Sequence, residues 1–358
     1  MKIITIIGAR PQFVKAAVLS KALKKYRHIA EVIVHTGQHF NDNMSKVFFD
    51  ELEIAEPKYN LNVHNMNHAA MTATMMLKLE PILLDEKPDL VIVFGDTNST
   101  LAGALTAKKL HIKVAHIEAG LRSFNENMPE ETNRIIVDRL SDYLYCPTAI
   151  AVDNLKKEGY DNFNCSIFNF GDVMKDAAMI YKDLSNKNST ILKDLNLQNF
   201  VLATFHRAEN TANEQLMKGI IDGLNAIHQI VPVVVPMHPR TLQVVENLKI
   251  NCQFKIIAPV GYLEIIALQQ AAKLIITDSG GMQKEAYFFD KYCITLREET
   301  EWTELVTAGL NKLVGAEASQ IEKAFHYFNN KTFISDHNLY GDGMASEKIA
   351  ASIAKLAD

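Results

Sequence analysis

The chain has 358 residues, 48% of them hydrophobic and 22% charged, the balance of a folded globular protein rather than a disordered or fibrous one. Its 37 Lys and Arg against 42 Asp and Glu give a net charge of −5, which excludes nucleic acid as a principal partner but not a small phosphorylated ligand. Cys146, Cys165, Cys252 and Cys293 are too scattered for a disulfide framework or a zinc site, and no window approaches the ~18 apolar residues of a membrane span. An apolar run over 3–7 opens the chain, but Gly8-Ala9-Arg10-Pro11 ends it too soon for a signal peptide, so a cytoplasmic protein is expected.

In chain order, short β-branched runs fall at 3–7, 31–35, 90–94, 114–117, 143–146 and 167–170, with helical spacing between them, as over 14–26 and 101–110. A second series follows at 201–205, 233–236, 255–257, 274–277, 293–296 and 312–314. The runs are continuously apolar rather than alternating, as in a parallel sheet covered on both faces. Strand–helix alternation of this kind means an α/β fold of doubly wound sheets. The expectation is two Rossmann-like domains, 1–181 and 199–342, joined by the polar stretch 182–198 and followed by an amphipathic helix at 343–358. Ligands of such sheets bind beyond the carboxyl ends of the strands, so an active site in the interdomain cleft is expected and the residues after each strand are the informative ones.

After the first run, Gly8-Ala9-Arg10-Pro11-Gln12-Phe13-Val14-Lys15 places two cations near a helix start, suited to a phosphate or to a plain strand–helix turn. It is not G-x-G-x-x-G, so no dinucleotide cofactor is expected. Asp96, after 90–94, could cap the next helix or act as a reactive carboxylate; Glu118 ends the following strand in the same way. Pro129-Glu130-Glu131 suits a helix start. His206-Arg207, and again His238-Pro239-Arg240, put cations at strand ends for acid–base work or phosphate contact. The strongest local signal is Thr277-Asp278-Ser279-Gly280-Gly281, a turn that can present backbone N–H groups to a diphosphate, with Glu285 one turn later suited to ribose hydroxyls. Its bland alternative is a left-handed turn that needs glycine. There is no P-loop, H-E-x-x-H or G-x-S-x-G, and the histidines lack metal spacing.

Taken in order, Gly8-Ala9-Arg10-Pro11, Gly95-Asp96-Thr97, His116-Ile117-Glu118-Ala119-Gly120-Leu121-Arg122, Pro129-Glu130-Glu131-x-Asn133-Arg134, His206-Arg207, Thr277-Asp278-Ser279-Gly280-Gly281 and Tyr340-Gly341-Asp342-Gly343 resemble the non-hydrolysing UDP-N-acetylglucosamine 2-epimerases across nearly the whole chain. The resemblance implies a glycosyltransferase-B-like fold, a UDP-sugar between two Rossmann-like domains, a last helix packing back on the first domain, a homodimer, and no metal or nicotinamide. It implies inversion at C2 of a UDP-2-acetamido sugar by elimination and return of UDP. Asp96, Glu118 and Glu130 would be the acid–base and C1-stabilising carboxylates, the C2 proton falling to one of the three, with His206 a catalytic or phosphate-contacting partner. Arg10, Lys15, Arg134, Tyr262, Ser279, Gly280, Gly281, Glu285, Arg297 and Trp302 would hold the UDP-sugar. Many members read Thr-Glu-Arg-Pro-Glu where this chain has Thr300-Glu301-Trp302-Thr303-Glu304; with Ala9 and Gln12, the indole is more similar to a branch acting on UDP-2,3-diacetamido-2,3-dideoxy-glucuronate. The alternative is neutral drift at a rim position. Gln38, His39 and His238 resemble parts of an activating UDP-sugar site of some members. The rival activities are a glycosyltransferase, which needs no trio of carboxylates, and a hydrolysing epimerase.

Overall fold

A computed structural model describes residues 1–38, 56–335 and 338–357. It resolves into two compact units, 1–177 with 338–358, and 178–337.

The first unit is a parallel sheet of β1 (Lys2–Ile7), β2 (Ala30–His35), β3 (Tyr59–Asn60), β4 (Leu90–Phe94), β5 (Lys113–Ile117), β6 (Tyr143–Cys146) and β7 (Ser166–Asn169) in the order β3-β2-β1-β4-β5-β6-β7. Its helices are α1 (Arg10–Leu23), α2 (His68–Glu86), α3 (Asn98–Lys109), α4 (Pro129–Leu140) and α5 (Ala149–Lys157). The apolar runs form these strands because both faces are covered. Ile4 and Ile6 of β1 and Val91 and Val93 of β4 pack with Met75, Leu79 and Leu83 of α2 and with small residues of α3. Each such side chain contributes about 1.5–3 kcal/mol when buried. Helix α1 starts at Arg10, earlier than the expected 14, because Pro11 supplies a helical φ in the first turn and the Gln12 side chain reaches back to the backbone ahead of it.

Helix α6 (Val173–Asn188) runs straight through the start of the stretch expected to be a linker, and α7 (Ile191–Asp194) occupies more of it. The polar residues there are the solvent face of a helix whose Tyr181 and Ser185 are buried; the Ser185 hydroxyl donates to the Leu263 carbonyl at 2.6 Å. The division between units falls at 177/178, inside α6.

In the second unit, β8 (Val201–Thr204), β9 (Val233–Pro236), β10 (Lys255–Ile257), β11 (Leu274–Thr277), β12 (Cys293–Thr295) and β13 (Asn311–Leu313) form a parallel sheet in the order β10-β9-β8-β11-β12-β13. Around it lie α8 (Ala208–Thr211), α9 (Glu214–His228), α10 (Pro239–Asn247), α11 (Tyr262–Ala271), α12 (Gly280–Phe288), α13 (Thr303–Thr307) and α14 (Ala318–Asn329). Alternate residues feed two cores. Val201, Val233, Val235 and Ile276 pack with Ile220, Ile221 and Phe325, while Leu202, Val234 and Ile275 pack with Leu268 and Ala286. The last helix, α15 (Ala345–Ala354), belongs to the first unit. Asp176 caps it, accepting from the Ala345 and Ser346 amides at 3.1 and 2.6 Å. Among the described residues no helix is long and apolar enough to cross a membrane.

In each sheet the chain winds outward from a central strand and then resumes on that strand's other side. The reversal lies between β1 and β4 in the first unit and between β8 and β11 in the second. Those are the places where an open α/β sheet leaves a crevice beyond its strand ends.

Candidate active site

In the first unit the loops after β1, β4 and β5 converge. Gly8 must be glycine, since a side chain there would run into the hydroxyls of Ser99 and Thr36. Gln12, 2% exposed, ties two loops together. Its Oε1 accepts from the Gly8 and Ala9 amides at 2.8 and 3.0 Å; its Nε2 donates to the Phe94 carbonyl, Thr97 Oγ1 and Thr100 Oγ1 at 2.7, 3.0 and 2.9 Å. Arg10 opens α1, and Lys15, one turn later and buried, pairs with Glu118.

Asp96 does not cap α3. Thr97 does, its hydroxyl accepting from the Thr100 amide, which leaves the Asp96 carboxylate to other partners. Arg134 of α4 holds one of its oxygens with Nε and Nη2 at 3.0 and 2.6 Å, and Asn133 donates to its carbonyl at 2.8 Å. Glu118 has φ +73°, a left-handed conformation that costs a non-glycine residue about 1–3 kcal/mol and needs surroundings that enforce it. Its carboxylate reaches over Gly95, where a Cβ would lie 3.0 Å from Oε2. Of the adjacent acids on α4, only Glu131 is buried and bonded: it accepts from the Ser123 and Phe124 amides, both at 2.9 Å, and from Arg134 at 2.7 Å. Burial pushes the Glu131 carboxyl up, but those amides and the guanidinium outweigh it and hold the group below the usual carboxylate range. Glu130 is half-buried, and among the described residues no side-chain hydrogen bond or ion pair holds it.

In the second unit, Asp278 organises the loop after β8. One of its oxygens accepts from the His206 and Arg207 amides, each at 2.9 Å, and from Asn210 Nδ2 at 3.1 Å. The His206 ring stays 59% exposed with Nδ1 3.4 Å from Asp278 Oδ1. Ser279 precedes α12, so the first-turn amides of that helix, at Gly280 and Gly281, have no intrahelical partners. Neither glycine has a positive φ, which removes the left-handed-turn account of the pair. Gly280 is glycine because a side chain would strike the Glu301 carboxylate, whereas beside Gly281 nothing lies within 4 Å of a built Cβ.

Glu285 is buried, its oxygens accepting from Gln269 Nε2 at 2.7 Å and the Tyr262 hydroxyl at 3.3 Å. Burial pushes its carboxyl up, and burial beside Glu285 pushes the Tyr262 phenol well up. Trp302 is no rim residue: it is 4% exposed, with the Lys284 ammonium 3.9 Å from its ring centroid and its Nε1 3.6 Å from a Cβ built on Gly280. Arg297, also buried, donates to Glu301 at 3.1 Å, so Arg297, Glu301 and Trp302 back the glycine turn from within. His238 caps α10, Nδ1 accepting from the Arg240 amide at 3.2 Å, and Gln38 Oε1 accepts from Ser99; His39 lies outside the described residues.

The structure gives work to four residues whose roles the sequence did not disclose: Gln12 and Asp278 inside the quoted motifs, and Asp138 and Lys284 outside them. Asp278 had a usable signal, since an acid directly before Ser-Gly-Gly lies at a strand end. Asp138 had none, because its partners are 16 to 22 residues away. Among the described residues, no group of three His, Cys, Asp or Glu is placed to hold a metal ion.

Comparison with known proteins agrees with this geometry. A family model described as UDP-N-acetylglucosamine 2-epimerase matches residues 21–354. The chain is 51% identical to the UDP-2,3-diacetamido-2,3-dideoxy-D-glucuronate 2-epimerase of Pseudomonas aeruginosa, covering 99% of this chain and 100% of that protein. It is 43% identical to a UDP-N-acetylglucosamine 2-epimerase of Methanocaldococcus jannaschii, with 98% of each covered. The crystal structure of the Methanocaldococcus jannaschii UDP-GlcNAc 2-epimerase with UDP-GlcNAc and UDP superposes with TM-score 0.92 at 42% identity, over 99% of this chain and 100% of that one. With strand order, glycine turn and carboxylate-bearing loops all in place, the chain belongs to the UDP-N-acetylglucosamine 2-epimerase family.

Proposed function

We propose that the protein inverts C2 of a UDP-2-acetamido sugar without hydrolysis, and that its substrate is UDP-2,3-diacetamido-2,3-dideoxy-glucuronate, converted to the manno isomer for surface polysaccharide assembly. The observation that carries the reading is the pair of clamped carboxylates at the first unit's crevice, Asp96 on Arg134 and Glu118 on Lys15. A glycosyltransferase has no need of such a cluster. The uronate assignment is supported by the Pseudomonas aeruginosa relative and by the indole at position 302.

The chemistry sets the demands. The C2 hydrogen is not α to a carbonyl, so its removal must accompany departure of UDP from C1. One carboxylate takes the proton, the C1–O bond breaks with its electron pair leaving on UDP, and a 2-acetamidoglycal remains. UDP then returns through oxygen to C1 while an acid delivers a proton to the opposite face of C2. Asp96, Glu118 and Glu130 supply base, acid and stabilisation of a cationic C1; His206 and the amides of Gly280 and Gly281 face the departing diphosphate. Lys15 and Arg134 pair with two of the acids and orient them. Tight retention of UDP separates epimerisation from hydrolysis. The protein acts in the cytoplasm as a homodimer, a reading that rests on the family resemblance.

The test offers the purified enzyme UDP-N-acetylglucosamine and the diacetamido uronate separately and follows products by anion-exchange chromatography. The uronate should give an intact UDP-manno product with the higher kcat/KM, and Trp302→Arg should shift the ratio toward UDP-N-acetylglucosamine. A faster reaction of UDP-N-acetylglucosamine with wild type would assign that substrate instead. Free UDP with released sugar would mean the hydrolysing reaction.

A further inference from the structure

Behind the candidate carboxylates lies a buried network that the reaction scheme does not use. Asp138 of α4 is 1% exposed. Its Oδ1 lies 2.7 Å from His116 Nδ1, and its Oδ2 accepts from the Gly120 amide at 3.0 Å and from Arg122 Nη1 at 2.7 Å. The other nitrogen of His116, Nε2, is 2.8 Å from the Gly95 carbonyl oxygen. Arg122 continues the chain to both oxygens of Glu158, each at 2.7 Å. Burial pushes the Asp138 carboxyl up, but His116 and Arg122 hold it below its usual range; with the Gly120 amide and the Arg122 guanidinium both donating to Oδ2, the carboxylate acts as an acceptor. A carbonyl oxygen is an acceptor as well. Neutral imidazole has one N–H, so His116 meets both neighbours only with hydrogens on both ring nitrogens.

Each end of this bridge fastens a loop that bears a candidate catalytic residue. Gly95, with φ +61°, immediately precedes Asp96. Gly120, with φ +79°, follows the left-handed Glu118 by two positions, and a side chain on it would strike the Ala151 carbonyl. The Glu118 carboxylate in turn lies over Gly95. A shift at either end therefore changes the placement of Asp96 relative to Glu118.

We propose that His116 and Asp138 are a positioning pair, in which an imidazole donating from both nitrogens spans from the Asp138 carboxylate to the Gly95 carbonyl and fixes the spacing of the Asp96 and Glu118 carboxylates. The pair touches no substrate and acts only through those two residues. Its activity readout rests on the proposed C2 epimerisation.

The test is a double-mutant cycle in the full-length enzyme, reading kcat for C2 inversion together with UDP affinity. His116→Gln should lower kcat by about 10²-fold, the effect of a misplacement near 1 Å, while UDP affinity stays within about twofold. Added to Glu118→Gln, the same substitution should cost less than about threefold more, because the spacing it sets has already lost one of its two carboxylates. A full further loss of about 10²-fold in that background would overturn the proposal, since a general structural defect adds to any other. If His116→Gln does not fold, neutron diffraction from wild-type crystals decides: hydrogen or deuterium on both His116 nitrogens is expected, and one bare nitrogen overturns the bridge. Wild-type enzyme that inverts neither UDP-sugar would sink the epimerase assignment alone, and the neutron map would still decide the bridge.

Discussion

Around β1, β4 and β5 of the first unit, the candidate side chains are mostly held by opposite charges, Asp96 by Arg134 and Glu118 by Lys15. Around β8 and β11 of the second unit, a buried carboxylate at Asp278 grips backbone amides, the His206 ring stays largely exposed, and Gly281 faces open space. Both clusters stand at the reversal point of the same strand order, so the fold does not account for the contrast. On the proposed function, a division of labour does. Proton transfer at carbon needs carboxylates of fixed charge and direction, which ion pairs supply. A diphosphate needs unencumbered N–H groups and room, which a glycine-led helix start supplies.

Substitutions on the two sides should therefore fail in different ways. The largest effect is expected from Asp96→Asn, which keeps the side-chain volume but removes the charge: kcat should fall by about 10³-fold while UDP binding, followed by calorimetry, is largely intact. Weakened UDP binding with normal turnover would move Asp96 out of the chemistry. Next comes Gly281→Val, whose side chain enters open space within a helical turn. The thermal midpoint should not fall, because glycine is the poorer helix residue, yet UDP affinity should drop about tenfold, or about 1.4 kcal/mol. Unchanged affinity would mean that the diphosphate lies elsewhere.

The smallest effect concerns the frame. Because Glu131 is held below its usual range in the fold, its contribution to stability is fully present above its unfolded pKa, about 4.3, and is lost as pH falls through the folded value. Glu131→Gln should therefore be less stable than wild type at neutral pH, with the gap in thermal midpoint closing as the medium is acidified. A gap independent of pH would detach that charge from stability.

Much of this was legible in the sequence for a physical reason: strands covered on both faces must be apolar at every position, and binding loops of parallel sheets follow strand ends. The runs at 90–94 and 274–277 and the loops after them needed nothing else. What escaped depends on contacts between distant positions. β3 is two residues long and exists only through its pairing with Val34 and His35. The Asn- and Lys-rich stretch near 182–188 looks like a linker because a helix's solvent face is polar wherever its buried residues are few. Asp96 looks like a cap until Thr97 takes that role. The rim alternative for Trp302 falls only once Lys284 of α12 is found against its ring. Asp138 reads as one more acid on an amphipathic helix.

The central claim is inversion at C2 with UDP retained, and the direct measurement is proton NMR of the enzyme in D₂O with each UDP-sugar in turn. The account predicts deuterium at C2 of an intact UDP-manno product, with solvent exchange keeping pace with inversion. Inversion that retains the original C2 hydrogen, or release of free UDP with no UDP-manno product, would contradict it.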